Sequence, residues 1–237
     1  MRLDKFISHA LGYSRRDVKE LIKNKKVKVN EKLVSKADNF IDPNLDIVSV
    51  NNKEIEYKEF VYIMLNKPKD VISATTDKIH KTVIDIVRCD YPNYDLFPMG
   101  RLDIDTEGLL ILTNNGSLLH KVMSPKKDIY KKYYVEVEGC FSEADREVFL
   151  EGMELLDGKN EIYKSKKAYL EIISPTKAFI SICEGKFHQI KRMCEKLNKK
   201  VTYLKRIEMK QITLDEALRP GEYRELTSEE LKKLLDV

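Results

Sequence analysis

The sequence predicts an α+β protein in two parts: a small basic α/β head over residues 1–55, and a body over residues 60–237 with a largely antiparallel mixed sheet and flanking helices. Three observations lead there. Strand-like and helix-like segments are mixed along the chain without the regular β–α–β alternation that marks a parallel sheet. Positive charge is concentrated at the front: residues 1–36 carry eleven Lys/Arg against four acids, net +7, which leaves −3 for the remainder of a chain whose total is +4. The stretch 51–60, NNKEIEYKEF, is polar and reads as the linker between the two parts.

Bulk composition narrows the class. With 237 residues and 42% apolar content, the chain can bury a core. The four cysteines, Cys89, Cys140, Cys183 and Cys194, show no CxxC spacing, so a reducing compartment is expected rather than a disulfide framework; Cys183, His188 and Cys194 lie close but match no zinc spacing, and the two thiols read as packing residues. No apolar run approaches a bilayer span, and MRLDKFI lacks a signal-peptide apolar region. A soluble, cytoplasmic, monomeric protein without membrane association is expected. A basic head on a slightly acidic body suits a polyanion-binding module joined to something else.

The elements follow in order. Ser14 with Asp17 three residues on reads as a capping box, and Val18, Leu21 and Ile22 make a helical apolar stripe behind it. Arg15, Lys19 and Lys23 are spaced four apart, so they line one exposed face, with Arg16 beside them. Val27–Asn30 alternates as a strand, Asn30-Glu31 is a turn, and Asp46–Val50 is a second strand. In the body, Val61–Leu65 is a strand, Thr82–Val87 a short helix, and Leu109–Thr113 a buried strand stopped by Asn114-Asn115-Gly116. Ser117–Met123 is a helix ended by Pro125, and Lys132–Glu138 alternates as a strand. A helix opens at Ser142 and runs to about Gly152; strands near 167–173 and 177–183 form a hairpin turned at Ser174-Pro175. Phe187–Leu197 is an amphipathic helix, strands follow near 201–214, and Ser228–Leu235 closes the chain as a helix.

Some chemistry is absent from the sequence. The nine glycines form no GxGxxG or P-loop, and GxSxG and HExxH do not occur. The informative stretch is MGRLDIDTEGLL, residues 99–110, with three carboxylates, one arginine and two glycines beside a buried strand. It reads either as a tight loop that aims a side chain into a pocket or as an acidic surface turn. Asp103, Asp105 and Glu107 alternate, so on a regular strand they would share a face able to hold Mg²⁺. A metal-dependent nuclease and a non-catalytic RNA-binding assembly factor are therefore the rival classes.

Resemblance resolves more than spacing does. SRRDVKELIKNKKVKVNEK, with LDKFIS ahead of it, resembles the RNA-binding module first described in ribosomal protein S-four, over about residues 1–50. GRLDIDTEGLLILTNNG resembles the catalytic motif of the RsuA-type family of ribosomal-RNA pseudouridine synthases. YIMLNKPKDVIS, YKKYYVEVEG, EGKFHQIKRM and the tail RPGEYRELTSEEL match the family's remaining segments in order. Asp70 stands where the first motif usually has glycine, which would permit a different turn after Pro68.

The resemblance implies a cofactor-free and metal-free isomerase. Asp103 matches the essential aspartate, Arg101 the arginine just ahead of it, Tyr133 the base-stacking tyrosine, and Lys191 the cation paired with the aspartate. Leu102 and Ile104 are expected to anchor the loop, and His188 to be a structural residue. Expected RNA contacts are Arg15, Arg16, Lys19, Lys23, Lys67, Lys186 and Arg192, the last two within a basic strip over 184–210. The HQIKRM form with lysine at 191 is similar to the small-subunit 16S rRNA branch more than to the 23S branch. The implied partner is ribosomal RNA in an assembling small subunit.

Overall fold

The computed structural model describes residues 1–123, 128–159 and 161–236. The chain divides into two compact units, Met1–Val61 with Arg88–Asp95, and Tyr62–Val87 with Leu96–Val237.

The first unit begins with helices α1 (Leu3–Leu11) and α2 (Arg15–Lys23), followed by strands β1 (Val27–Val29), β2 (Lys32–Leu33), β3 (Val48–Val50) and β4 (Lys53–Glu54). The strands pair antiparallel in the order β2-β1-β3-β4. Ser14 and Asp17 do form the capping box: the Asp17 N–H donates to Ser14 Oγ at 3.2 Å and the Ser14 N–H to Asp17 Oδ2 at 2.9 Å. Leu3, Phe6 and Ile7 recur at helical spacing and pack with Val18, Ile22, Val27, Val48 and Val50 into one small core. Asn30-Glu31 and Asn51-Asn52 are two-residue hairpin turns with all four residues at positive φ, which asparagine tolerates better than most side chains. The second turn corrects the linker expectation: residues 51–54 complete this sheet instead of leaving it.

The second unit contains β5 (Tyr62–Lys67), α3 (Val83–Val87), β6 (Phe97–Pro98), β7 (Glu107–Thr113), α4 (Gly116–Met123), β8 (Lys131–Glu138), α5 (Glu143–Glu151), β9 (Glu154–Leu156), β10 (Ile162–Lys164), β11 (Tyr169–Ser174) and β12 (Lys177–Ile182). It is completed by α6 (Gln189–Lys196), β13 (Lys200–Met209), β14 (Ile212–Thr213), β15 (Tyr223–Glu225) and α7 (Ser228–Leu235). Pro125, expected to end α4, lies outside the described residues.

The main sheet runs β11-β12-β8-β13-β7-β5-β15, with β6 added to β7 and β14 to β13. Among the described strands its pairings are antiparallel except β13 with β7, where Lys205 faces Glu107 and Arg206 faces Gly108. That pairing depends on glycine: Gly108 has φ +106, and a Cβ there would lie 2.2 Å from the Arg206 carbonyl oxygen. β5 and β7 are covered on both faces, so they read as near-continuous apolar runs, whereas β8 alternates strictly between buried and part-exposed residues. Met64, Met99, Leu109 and Ile111 pack with Leu118, Met209, Ile212 and Leu234 into a core on one side of the sheet.

Candidate active site

The segment running into β7 is tied down residue by residue. Leu102 is buried, its N–H donates to Ser73 Oγ at 3.0 Å, and the Ser73 hydroxyl donates to the Leu102 carbonyl at 2.9 Å. The Thr106 N–H donates to the Asp103 carbonyl at 3.1 Å and closes a turn, while the Asp70 N–H donates to the Ile104 carbonyl at 2.9 Å. Asp70 has φ +62, the left-handed conformation that glycine suits best and Asp tolerates, so a tight turn forms after Pro68 without glycine.

Lys67 supplies the last tie. Its Nζ donates to the carbonyls of Pro68 at 3.0 Å, Ile104 at 3.3 Å and Thr106 at 2.9 Å. The residue is 0% exposed, and burial pushes its pKa down to about 8 against the pull of Asp105, Asp103, Glu107 and Asp70. This corrects the expectation that Lys67 contacts RNA: its ammonium is spent on three backbone carbonyls beneath the Asp103 loop. Ile104 is also corrected, since its side chain is exposed and only its carbonyl anchors the loop.

The Asp103 carboxylate projects from this braced turn, about one-third exposed. Lys191 arrives from α6, with Nζ 3.4 Å from Asp103 Oδ2 and 2.6 Å from Asp105 Oδ1. Burial opposes ionisation of Asp105, but the Lys191 hydrogen bond and charge outweigh it and hold the carboxyl below its usual range. His188 Nε2 stands 3.8 Å from Asp103 Oδ1, too far for a hydrogen bond.

Asp103 opens into a cleft of about 590 Å³ whose lining includes Arg101, Tyr133, Lys186 and Lys191, with Ile182 and Leu204 as apolar surface. Tyr133 comes from β8 and is nearly buried, and Arg206 stands opposite it on β13. The structure thus brings Arg101, Asp103, Tyr133, Lys186 and Lys191 together. Lys186 Nζ lies 3.6 Å from the Tyr163 ring centroid; Arg192 bonds the Leu156 carbonyl and sits 5.0 Å from the Phe187 ring. Arg15, Arg16, Lys19 and Lys23 are exposed on α2 of the first unit, where Lys19 and Lys23 border a cleft with Arg2 and Lys36.

Two other expectations change. In the basic strip, Arg206 is buried with Nε donating to the Leu109 carbonyl at 2.7 Å, and Lys199 is buried against Asp145 at 3.0 Å. The three alternating acids do not form one face. Asp103 and Asp105 sit in the turn, and Glu107 accepts a hydrogen bond from the Tyr203 hydroxyl at 2.7 Å. Among the described residues, no group of three or more His, Cys, Asp or Glu is placed to hold a metal ion. The sequence reading missed Ser73, Phe187 and the apolar pair Ile182 and Leu204. Only Phe187, an aromatic inside a cationic motif, offered any local signal.

Comparisons with known proteins give the family. Residues 61–196 match the RNA pseudouridylate synthase family model, and residues 1–47 match the S4 domain. The chain is 41% identical to an uncharacterized RNA pseudouridine synthase of Bacillus subtilis, over 99% of this chain and 98% of that protein. It is 38% identical to the ribosomal small subunit pseudouridine synthase A of Escherichia coli, over 99% and 100%. A pseudouridylate synthase crystal structure superposes with a TM-score of 0.68 at 35% identity, covering 99% of this chain and all of that one. The chain belongs to the RNA pseudouridylate synthase family and is an isomerase. Within that family it is of the RsuA type, with an S4 domain ahead of the synthase domain.

Among the described residues no helix is long and apolar enough to cross a membrane.

Proposed function

We propose that this protein converts one uridine of 16S ribosomal RNA to pseudouridine in the cytoplasm, on an assembling small subunit, with Asp103 as the nucleophile. The reaction breaks the bond from ribose C1′ to uracil N1, turns the base and joins C1′ to C5; the C5 proton leaves to solvent and N1 takes up one proton, so the product is an isomer of uridine. Nothing is oxidised or hydrolysed overall. A carboxylate suits this because it can add to the nucleoside and leave again. Lys191, with its ammonium 3.4 Å from Asp103 Oδ2, holds the carboxylate in place.

The target nucleotide must leave its stack, which costs a few kcal/mol. Tyr133 offers it a face worth ~1–3 kcal/mol, and the apolar surface of Ile182 and Leu204 keeps water from the reacting base. Arg101, Lys186 and Arg192 meet the phosphates around the cleft. Arg15, Arg16, Lys19 and Lys23 give the head, residues 1–55, a cationic face that tracks the backbone elsewhere on the RNA.

The observation that carries this reading is Asp103 itself: a carboxylate on a turn pinned by Ser73, Asp70 and Lys67, facing Lys191 at the edge of a cleft that holds Tyr133. The small-subunit assignment draws on the relatives named for that particle. Mapping pseudouridines in ribosomal RNA from cells with and without the protein tests both claims. One 16S position should lose its modification in the deletion strain. An unchanged map would overturn the assignment.

A further inference from the structure

One feature of the cleft is not needed for the isomerisation itself. Phe187 and His188 stack face to face at its rim, ring centroids 3.8 Å apart and planes 18° apart. Phe187 remains 53% exposed, so the pair is open to a ligand at the rim.

Side-chain hydrogen bonds tie down the turn that presents the two rings. Buried Gln189 accepts the Lys186 N–H at 3.0 Å and donates to Glu184 Oε1 at 2.6 Å. His188 has φ +51 and occupies the N-cap position of α6, yet its side chain caps nothing in the helix. Left-handed backbone at a non-glycine residue is a cost that the surroundings must impose. Here it turns the imidazole toward Asp103 and leaves it stacked on Phe187. The Arg192 guanidinium lies 5.0 Å from the Phe187 centroid, so a cation borders the aromatic pair. Aromatic faces beside cations form the usual pattern for gripping unstacked nucleotides.

We infer that Phe187 and His188 form a second base-binding subsite, which stacks a nucleobase next to the target uridine. This rests on the proposed function. Everting one nucleotide strips its neighbours of a stacking partner, and the rim of the same cleft is where such a neighbour would lie. Tyr133 holds the reacting base and the Phe187–His188 pair holds the adjacent one, so the enzyme prefers a purine neighbour, whose larger face stacks better.

The test uses the full chain and an RNA fragment carrying the mapped target uridine, with 2-aminopurine at the 5′ or the 3′ neighbouring position. Binding to the wild type should change the probe's fluorescence at one of the two positions, and Phe187→Ala should abolish that change. Phe187→Ala should also raise KM by roughly tenfold with kcat nearly unchanged, and Phe187→Tyr should restore it. Replacing that neighbour with an abasic residue should raise the wild-type KM equally and remove any further effect of Phe187→Ala. No fluorescence change at either position, or losses from Phe187→Ala and the abasic residue that simply add, would overturn the subsite while leaving the isomerase intact. A wild type that forms no pseudouridine on this RNA would bring down the proposed function and the subsite with it.

Discussion

Gly108→Ala tests whether the seam between β7 and β13 sets the position of the Asp103 turn. An alanine Cβ would sit 2.2 Å from the Arg206 carbonyl oxygen, 2.7 Å from its nitrogen and 2.9 Å from its carbonyl carbon, all backbone atoms that no rotamer change can clear. The two strands must part by about 1 Å to restore van der Waals separation. Holding φ at +106 costs an L-residue about 1–3 kcal/mol, and the overpacking about the same again. A loss of about 2–6 kcal/mol is a large share of the ~5–15 kcal/mol that stabilises a typical domain. Thermal unfolding should show a fall in Tm on the order of 10 °C. Because Gly108 lies five positions after Asp103, kcat should fall as well, by as much as ~100-fold for a 1 Å displacement. Gly116→Ala is the control: only Phe97 Cζ, 3.9 Å away, is near its Cβ, so it should be neutral or stabilising by about 0.5–1 kcal/mol. If Gly108→Ala unfolds within ~0.5 kcal/mol of wild type, the seam is not the constraint described here.

Three other perturbations have defined outcomes. Lys67→Met removes the donor to three loop carbonyls and should lower kcat with little change in KM; an unchanged kcat would mean the turn holds without it. Folded Lys67 releases its proton near pH 8 and the unfolded chain near 10.5, so the unfolded state holds more protons between these values. This residue therefore makes stability rise with pH across that window, by at most about 1.4 kcal/mol per pH unit, and denaturant titrations should find that rise missing in Lys67→Met. Lys191→Ala leaves Asp103 and Asp105 without their shared cation and should reduce kcat by roughly 100-fold, with partial recovery in Lys191→Arg; full kcat in the alanine variant would contradict the pairing. Lys19→Ala with Lys23→Ala removes two exposed cations of α2 and should lower the slope of log affinity against log salt by about 2, measured by filter binding to the RNA. An unaltered slope would remove the head's α2 face from the RNA contact.

What the sequence made legible was local. Ser14 with Asp17 announced α2, apolar runs announced β5 and β7, and strict alternation announced β8, because each pattern reports its own backbone. The Asp103 turn was legible as a motif: carboxylates between glycines in a stretch that resembles the family's. Its bracing was not. Ser73 reaches Leu102 across 29 positions and Lys67 reaches Thr106 across 39, and neither pairing leaves a periodic trace. Lys67 misled because lysine is almost never fully buried, so a surface role is the default reading. β4 escaped because it is two residues long and sits inside a polar stretch. Arg206 and Lys199 were read with a surface strip because charge counts cannot tell a buried guanidinium from a solvated one.

The most direct test of the whole account is a single-turnover assay of purified protein on RNA carrying tritium at uridine C5, comparing wild type with Asp103→Asn, which keeps the shape of the side chain but removes its charge. The wild type should release tritium as pseudouridine forms, while Asp103→Asn should bind the RNA with similar affinity and release none. Tritium release by Asp103→Asn at the wild-type rate would contradict the assignment of that carboxylate as the nucleophile.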